Sequence, residues 1–137
     1  MKQVIELEEP TGEITSPRLL FDRIRRIEVD HSQENFLLFS LNTRKQLIAA
    51  HVLFKGGRSA VCVDPATVFR RALLDNADAV VVAHNHPSGC LSPSDEDEQF
   101  ARRLAQAGDL LTIPVLDNVI FNAKEYFSFV QRQSPLP

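Results

Sequence analysis

Residues 78–100, DAVVVAHNHPSGCLSPSDEDEQF, impose a strand–turn–helix plan on this part of the chain. The run 78–83 is short, apolar and β-branched, which suits a buried strand. It leads directly into His84-Asn85-His86. Pro87 and Gly89 then call for a turn, and the acidic cluster Asp95-Glu96-Asp97-Glu98 opens a stretch with helical spacing. The question this arrangement raises is which of the four carboxylates the two imidazoles meet.

Helix geometry narrows the choice. Ser92-Pro93 reads as a capping serine followed by proline at the first helical position, and Gly108 as the C-terminal end. At about 100° per residue, Phe100, Ala101, Leu104 and Gly108 form one inward stripe with Asp97 in its middle. Asp95, Glu98, Gln99 and Arg102 fall on the far side, Glu96 at the margin, and Ser94 near the inward edge. A carboxylate at the head of a buried stripe is costly unless it is paired or bound to a metal. Alternation along an extended His-x-His segment points both imidazoles to one side. His84, His86 and Asp97 with a water in fourth place match a catalytic zinc set. A non-haem iron triad has the same ligand count, and an aspartate here can also simply complement the helix N-terminus. A cupin pattern is excluded, since no histidine follows His86, and H-E-x-x-H is absent. The letters HNH are a coincidence of spelling, because the residues of HNH nucleases are spread through a ββα unit.

The remaining chain supplies a scaffold. QVIEL in residues 1–14 predicts a short strand or arm, ended by a turn at Pro10, Thr11 and Gly12. Ser16-Pro17 starts a helix through RLLFDRIRRI, with Leu20, Ile24 and Ile27 on one stripe. NFLLFSL (35–41) and QLIAAHVLF (46–54) are strand-length runs joined by a hairpin loop, NTRK. KGG (55–57) breaks the second run, and VCV (61–63) suggests a further short strand. Asp64-Pro65 opens a helix with Val68, Phe69, Ala72 and Leu73 at helical spacing. Residues 112–122 predict one or two strands, and the rest is a tail with aromatic anchoring. The order β-α-β-β-(β)-α-β-α-β predicts an α/β fold, a mixed sheet between helices in a three-layer sandwich.

At 137 residues one domain is expected, with its core over about 16–130 and an arm or edge strand before it. Two cysteines, Cys62 and Cys90, make no disulfide framework, which fits a reducing cytoplasm. No apolar run reaches the roughly 18 residues of a membrane span. A net charge of −3 argues against a dedicated nucleic-acid binder. Arginine pairs at 25–26, 70–71 and 102–103 read as solvated helix faces unless they converge in space.

His84-x-His86, seven residues, Ser94, two residues and Asp97 together resemble the signature of JAMM/MPN+ metalloproteases. With ALLDNADAVVVA before it, LFKGG upstream and LDNVIF downstream, residues 16–130 resemble the RadC-like branch of that superfamily. The resemblance implies the cytidine-deaminase-like JAB/MPN fold and Zn2+ held by His84, His86 and Asp97. It implies Glu34, in SQENFLLF, as the general base and Ser94 as the hydroxyl that positions the carbonyl and stabilises its oxyanion. Without the resemblance, Glu34 is a solvated strand-start residue.

This chain departs from the family pattern at Asn118, where relatives show a histidine after aspartate, and at Ala66-Thr67. Longer relatives carry an N-terminal segment resembling a DNA-binding helix-hairpin-helix, for which this sequence has no room. Cys90 reads as a loop residue, since a fourth protein ligand would close the site to water. Two functions are therefore expected to compete. One is zinc-dependent hydrolysis of a peptide or isopeptide bond in a peptide or protein substrate. The other is a catalytically silent binding module tied to DNA repair or mobile elements, with nucleic acid as partner. Short exposed strands offer a way for two copies to form a homodimer.

Overall fold

Every residue of β2 (Glu34–Leu41) is buried. A strand buried on both sides needs a layer on each, and its alternation shows which layer takes which side chains. Leu37, Phe39 and Leu41 pack with Leu20, Phe21 and Ile24 of α1 (Pro17–Ile24). Phe36 and Leu38 pack with Val68, Phe69 and Ala72 of α2 (Pro65–Leu74), and with Phe100 and Leu104 of α3 (Asp95–Leu111). β4 (Ala79–Asn85) divides likewise, with Val81 and Ala83 toward α1 and Val80 and Val82 toward α2 and α3. The sequence-based three-layer expectation is met. Each fully buried Phe or Leu contributes about 1.5–3 kcal/mol.

The computed structural model describes residues 3–56 and 63–133. With β1 (Gln3–Glu13), β3 (Gln46–Gly56), β5 (Val115–Phe121) and β6 (Tyr126–Ser128), the sheet has six strands in the order β1-β3-β2-β4-β5-β6. Only β4 and β5 run parallel, with α3 as their crossover; the other pairs are antiparallel. Among the described residues no helix is long and apolar enough to cross a membrane.

Several elements differ from expectation for identifiable reasons. β1 does not turn at Pro10–Gly12 but continues to Glu13. Register shifts against β3 and a left-handed Gly12 (φ +54°) absorb the irregularity on an edge strand, where proline is tolerated. β3 runs through Lys55 and Gly56, because these pair with Asn35 and Glu34; Gly57 and most of VCV lie outside the described residues. α1 stops at Ile24, so Arg25 and Arg26 follow the helix, and Ile27 reaches the core from a turn. Leu73 points outward, 59% exposed, while Val68, Phe69 and Ala72 are buried. The tail contains a strand, β6, paired to β5.

Gly108 is not the end of α3. The helix runs to Leu111 and is capped by Thr112 in the left-handed region. Gly108 is buried in the last turn, where a Cβ would lie 2.6 Å from the carbonyl oxygen of Ile113.

Candidate metal centre

The histidine pair sits where β4 ends. His84 is still in the strand, paired with Phe36 of β2 and Ile120 of β5, and the strand continues to Asn85 rather than stopping at residue 83. His86 follows directly, two residues on and therefore on the same side of the sheet. That side faces α3, whose first turn carries Asp97, 6% exposed.

Asp97 is brought there by a different cap from the one expected. The N-cap of α3 is Ser94, not Ser92. The Ser94 hydroxyl oxygen accepts the Asp97 N–H at 3.0 Å, and Asp97 Oδ2 accepts the Ser94 N–H at 2.9 Å. This reciprocal box outcompetes a serine–proline start and leaves Pro93 ahead of the helix. It also fixes the Asp97 carboxylate between the two imidazoles. Oδ1 lies 3.2 Å from His84 Nε2, and Oδ2 lies 2.9 Å from His86 Nε2.

The three donor atoms lie within 4.8 Å of one another. A tetrahedral site with zinc bonds of roughly 2.0–2.2 Å has ligand–ligand edges of about 3.3 Å, and the two carboxylate–imidazole separations of 3.2 and 2.9 Å lie near that edge. His84 adds a second indication. It is 2% exposed, yet neither ring nitrogen has a hydrogen bond that meets geometric criteria among the described residues, and Nε2 has only the 3.2 Å contact to Asp97 Oδ1. A buried polar atom left unpaired is costly, and a metal on Nε2 removes that cost. His86 has its tautomer set: Nδ1 donates to the Cys90 carbonyl at 2.8 Å, leaving Nε2 to face Asp97. Cys90 is thus a loop residue whose backbone, rather than its thiol, serves the site. Asn122 holds the same loop by donating to the Gly89 carbonyl at 2.9 Å.

Electrostatics agree with this geometry. Burial works to raise the Asp97 pKa, but the two imidazoles and the Ser94 N–H outweigh it and hold the carboxyl far below the usual range. The Asp97 hydrogen bond raises the His86 pKa against the opposing effect of burial, with the Cys90 carbonyl and the charge of Glu34 adding to it.

Glu34 and Ser94 reach the same place. A cavity of about 360 Å³ is lined by Glu34, His86, Ser94 and Asp97, with Phe100 and Val63 as apolar wall. Glu34 is 5% exposed rather than solvated. It lies two residues before Phe36, whose partner is His84, so alternation places Glu34 and Phe36 on one face of β2. Sequence reasoning missed Asp64, Gln99 and Arg103 on the cavity wall. Asp64 showed only as a helix cap, and Gln99 was placed on the far side of α3. Asn118 lies elsewhere: it lines a separate groove with Glu98, Arg102 and Arg132, on the other flank of α3. The arginine pairs are split between layers, Arg25-Arg26 beyond α1 and the others on α2 and α3.

A family model described as a RadC-like JAB domain matches residues 14–134. A UPF0758 protein of Cupriavidus pinatubonensis is 41% identical over 125 residues, covering 91% of this chain and 54% of that protein. UPF0758 protein YfjY of Escherichia coli is 38% identical over 125 residues, 91% of this chain and 78% of the relative. A UPF0758 protein of Methanosarcina acetivorans is 36% identical over 126 residues, 89% of this chain and 53% of the relative. The chain spans about half the length of the first and third of these.

Proposed function

The chain belongs to the RadC-like JAB domain family, and from that premise we propose that it is a zinc-dependent amide hydrolase of the JAMM type, cleaving a peptide or isopeptide bond. The observation that carries the reading is the meeting of His84, His86 and Asp97, the last two lining a cavity with Glu34 and Ser94.

His84, His86 and Asp97 would hold the ion. Zinc in such a site supplies Lewis acidity and makes water acidic near neutral pH. Glu34 takes the proton of the attacking water and returns it to the leaving amine. The support for this role is that Glu34 lines the same cavity as His86 and Asp97. The Ser94 oxygen accepts the Asp97 N–H, which leaves the hydroxyl proton to donate to the oxyanion that forms on the carbonyl. Phe100 and Val63 give the cavity an apolar wall, so these polar groups act in a partly dry setting.

Metal analysis of protein purified without added metal is expected to give about one zinc per chain, lost in His84→Ala. The zinc-loaded protein is expected to cleave members of a peptide library, and Glu34→Gln to lower that rate about 10²–10⁴-fold with zinc retained. Zinc content indifferent to His84→Ala overturns the metal assignment. Zinc held by a protein that cleaves nothing leaves the binding-module reading in its place.

A further inference from the structure

The middle residue of His84-Asn85-His86 has no part in the chemistry above, yet it is 1% exposed and fully engaged. Its partners lie at the start of β2 and on the residue just before it. The β2–β4 pairing ends at Phe36–His84. One step beyond, where the ladder would continue, the Asn85 side chain takes over. Asn85 Oδ1 accepts the Asn35 N–H at 2.7 Å, and Asn85 Nδ2 donates to the Gln33 carbonyl at 2.9 Å. These two backbone groups flank Glu34. The Asn35 side chain, also 1% exposed, closes the arrangement by donating to Asn85 Oδ1 at 3.1 Å and to the carbonyls of Gln33 and Asp30.

We infer that Asn85 is a positioning residue that fixes Glu34 relative to the histidine pair. One amide between the two histidines grips the chain on both sides of the glutamate, in the way a neighbouring strand would. The amide orientation is determined by its partners, because a backbone N–H must be accepted and a carbonyl must receive a donor. Alternation sends the Asn85 and Asn35 side chains to the face opposite His84, His86 and Glu34, so the clasp holds the site from behind and leaves the cavity open. Pairing to β3 continues through Glu34–Gly56 on the other edge of β2. The clasp supplies the missing hold on the β4 side, where the ladder has stopped at Phe36–His84. Together they oppose a one-residue slip that would turn Glu34 to the other face of the sheet. The inference rests on the hydrolase reading for the role of Glu34 and on these hydrogen bonds for the clasp.

The test uses the full chain and two readouts. In Asn85→Ala, the Asn35 amide is expected to exchange with solvent at least about tenfold faster, while amides of residues 37–41 stay protected and zinc stays bound. Peptide hydrolysis is expected to fall about 100-fold, the cost of a displacement near 1 Å. In a Glu34→Gln background the same substitution is expected to cost no further rate, since both changes act through one group. Asn85→Leu is close in size and uncharged, and it removes both the acceptor for Asn35 and the donor to Gln33. It is expected to lose Asn35 protection and rate to an extent similar to Asn85→Ala, and it serves if Asn85→Ala does not fold. Unchanged Asn35 protection in either variant overturns the clasp, and a rate loss of equal size with and without Glu34 overturns its positioning role. A wild-type protein that cleaves nothing sinks the hydrolase proposal alone, and the exchange measurement still decides whether Asn85 holds this backbone.

Discussion

Asp97 Oδ2 lies 2.9 Å from His86 Nε2 while accepting the Ser94 N–H at the same distance. One oxygen therefore joins the start of α3 to the end of β4. The helix cap and the histidine pair are parts of a single arrangement, so substitutions at residue 97 can separate them.

Asp97→Asn keeps the shape and an oxygen for the Ser94 N–H, and removes the negative charge. Loss of the charge at the helix N-terminus costs about 0.3–1 kcal/mol, so a fold close to wild type is expected. Zinc affinity is expected to fall by more than about 100-fold, beyond the 10–100-fold typical of losing a partner behind a ligand. Competition with a chelator measures it, and an affinity within a few-fold of wild type would remove Asp97 from the ligand set.

The pH dependence of the metal-free protein follows from the same pair. His86 has a raised pKa in the folded state, chiefly through its bond to Asp97. Its contribution to stability is fully present below the unfolded value of about 6.5 and is lost as pH rises through the folded value. Asp97 has a depressed pKa, burial opposing and the imidazoles prevailing. Its contribution is present above about 3.9 and is lost as pH falls toward its folded value. Metal-free protein is thus expected to be most stable between these limits and to weaken on the alkaline side. Zinc needs both imidazoles neutral, so its affinity is expected to rise over that same alkaline range. Thermal melts across pH with and without zinc measure both trends. A metal-free protein that grows more stable from pH 6 to pH 9 contradicts the assignment.

How much of this was legible in the sequence depends on the range of the interaction. The inward turn of Asp97 followed from helical period alone, because Phe100, Leu104 and Gly108 share its stripe. The apolar runs at β2 and β4 likewise marked strands, the second of them as buried. Boundaries decided by competition between neighbours were not legible. Ser92 and Ser94 both suit a cap, and only the bond back from Asp97 selects the second. Gly108 looked like a helix end because its actual constraint, the carbonyl of Ile113, depends on how the chain folds back. Glu34 and Asn85 were the hardest to place: a strand register relates residues 50 apart, and nothing in local composition records it.

Gly108→Ala separates helix propensity from packing. In an exposed helix interior this change gains about 1 kcal/mol. Here the added methyl would meet the Ile113 carbonyl at 2.6 Å, with Val115 and Phe69 at 3.2 and 3.3 Å. The nearest contact is backbone and cannot rotate away. A net loss of about 1–3 kcal/mol is expected, read as a lower denaturation midpoint at unchanged slope. A stabilised variant would show that α3 and the segment after it shift apart easily.

Ser94 joins helix stability to the proposed chemistry, and two substitutions divide them. Ser94→Ala removes the acceptor of the Asp97 N–H and is expected to cost about 0.5–2 kcal/mol. It also removes the hydroxyl proposed to donate to the oxyanion, for an expected rate loss of about 10²–10³-fold. Ser94→Thr retains both groups and is expected to recover most of the stability and much of the rate. Rates are compared per bound zinc, so that weaker metal binding does not pass for lost catalysis. If Ser94→Ala loses stability while its rate per zinc matches wild type, the hydroxyl serves only the cap and the oxyanion must find its donor elsewhere in the cavity.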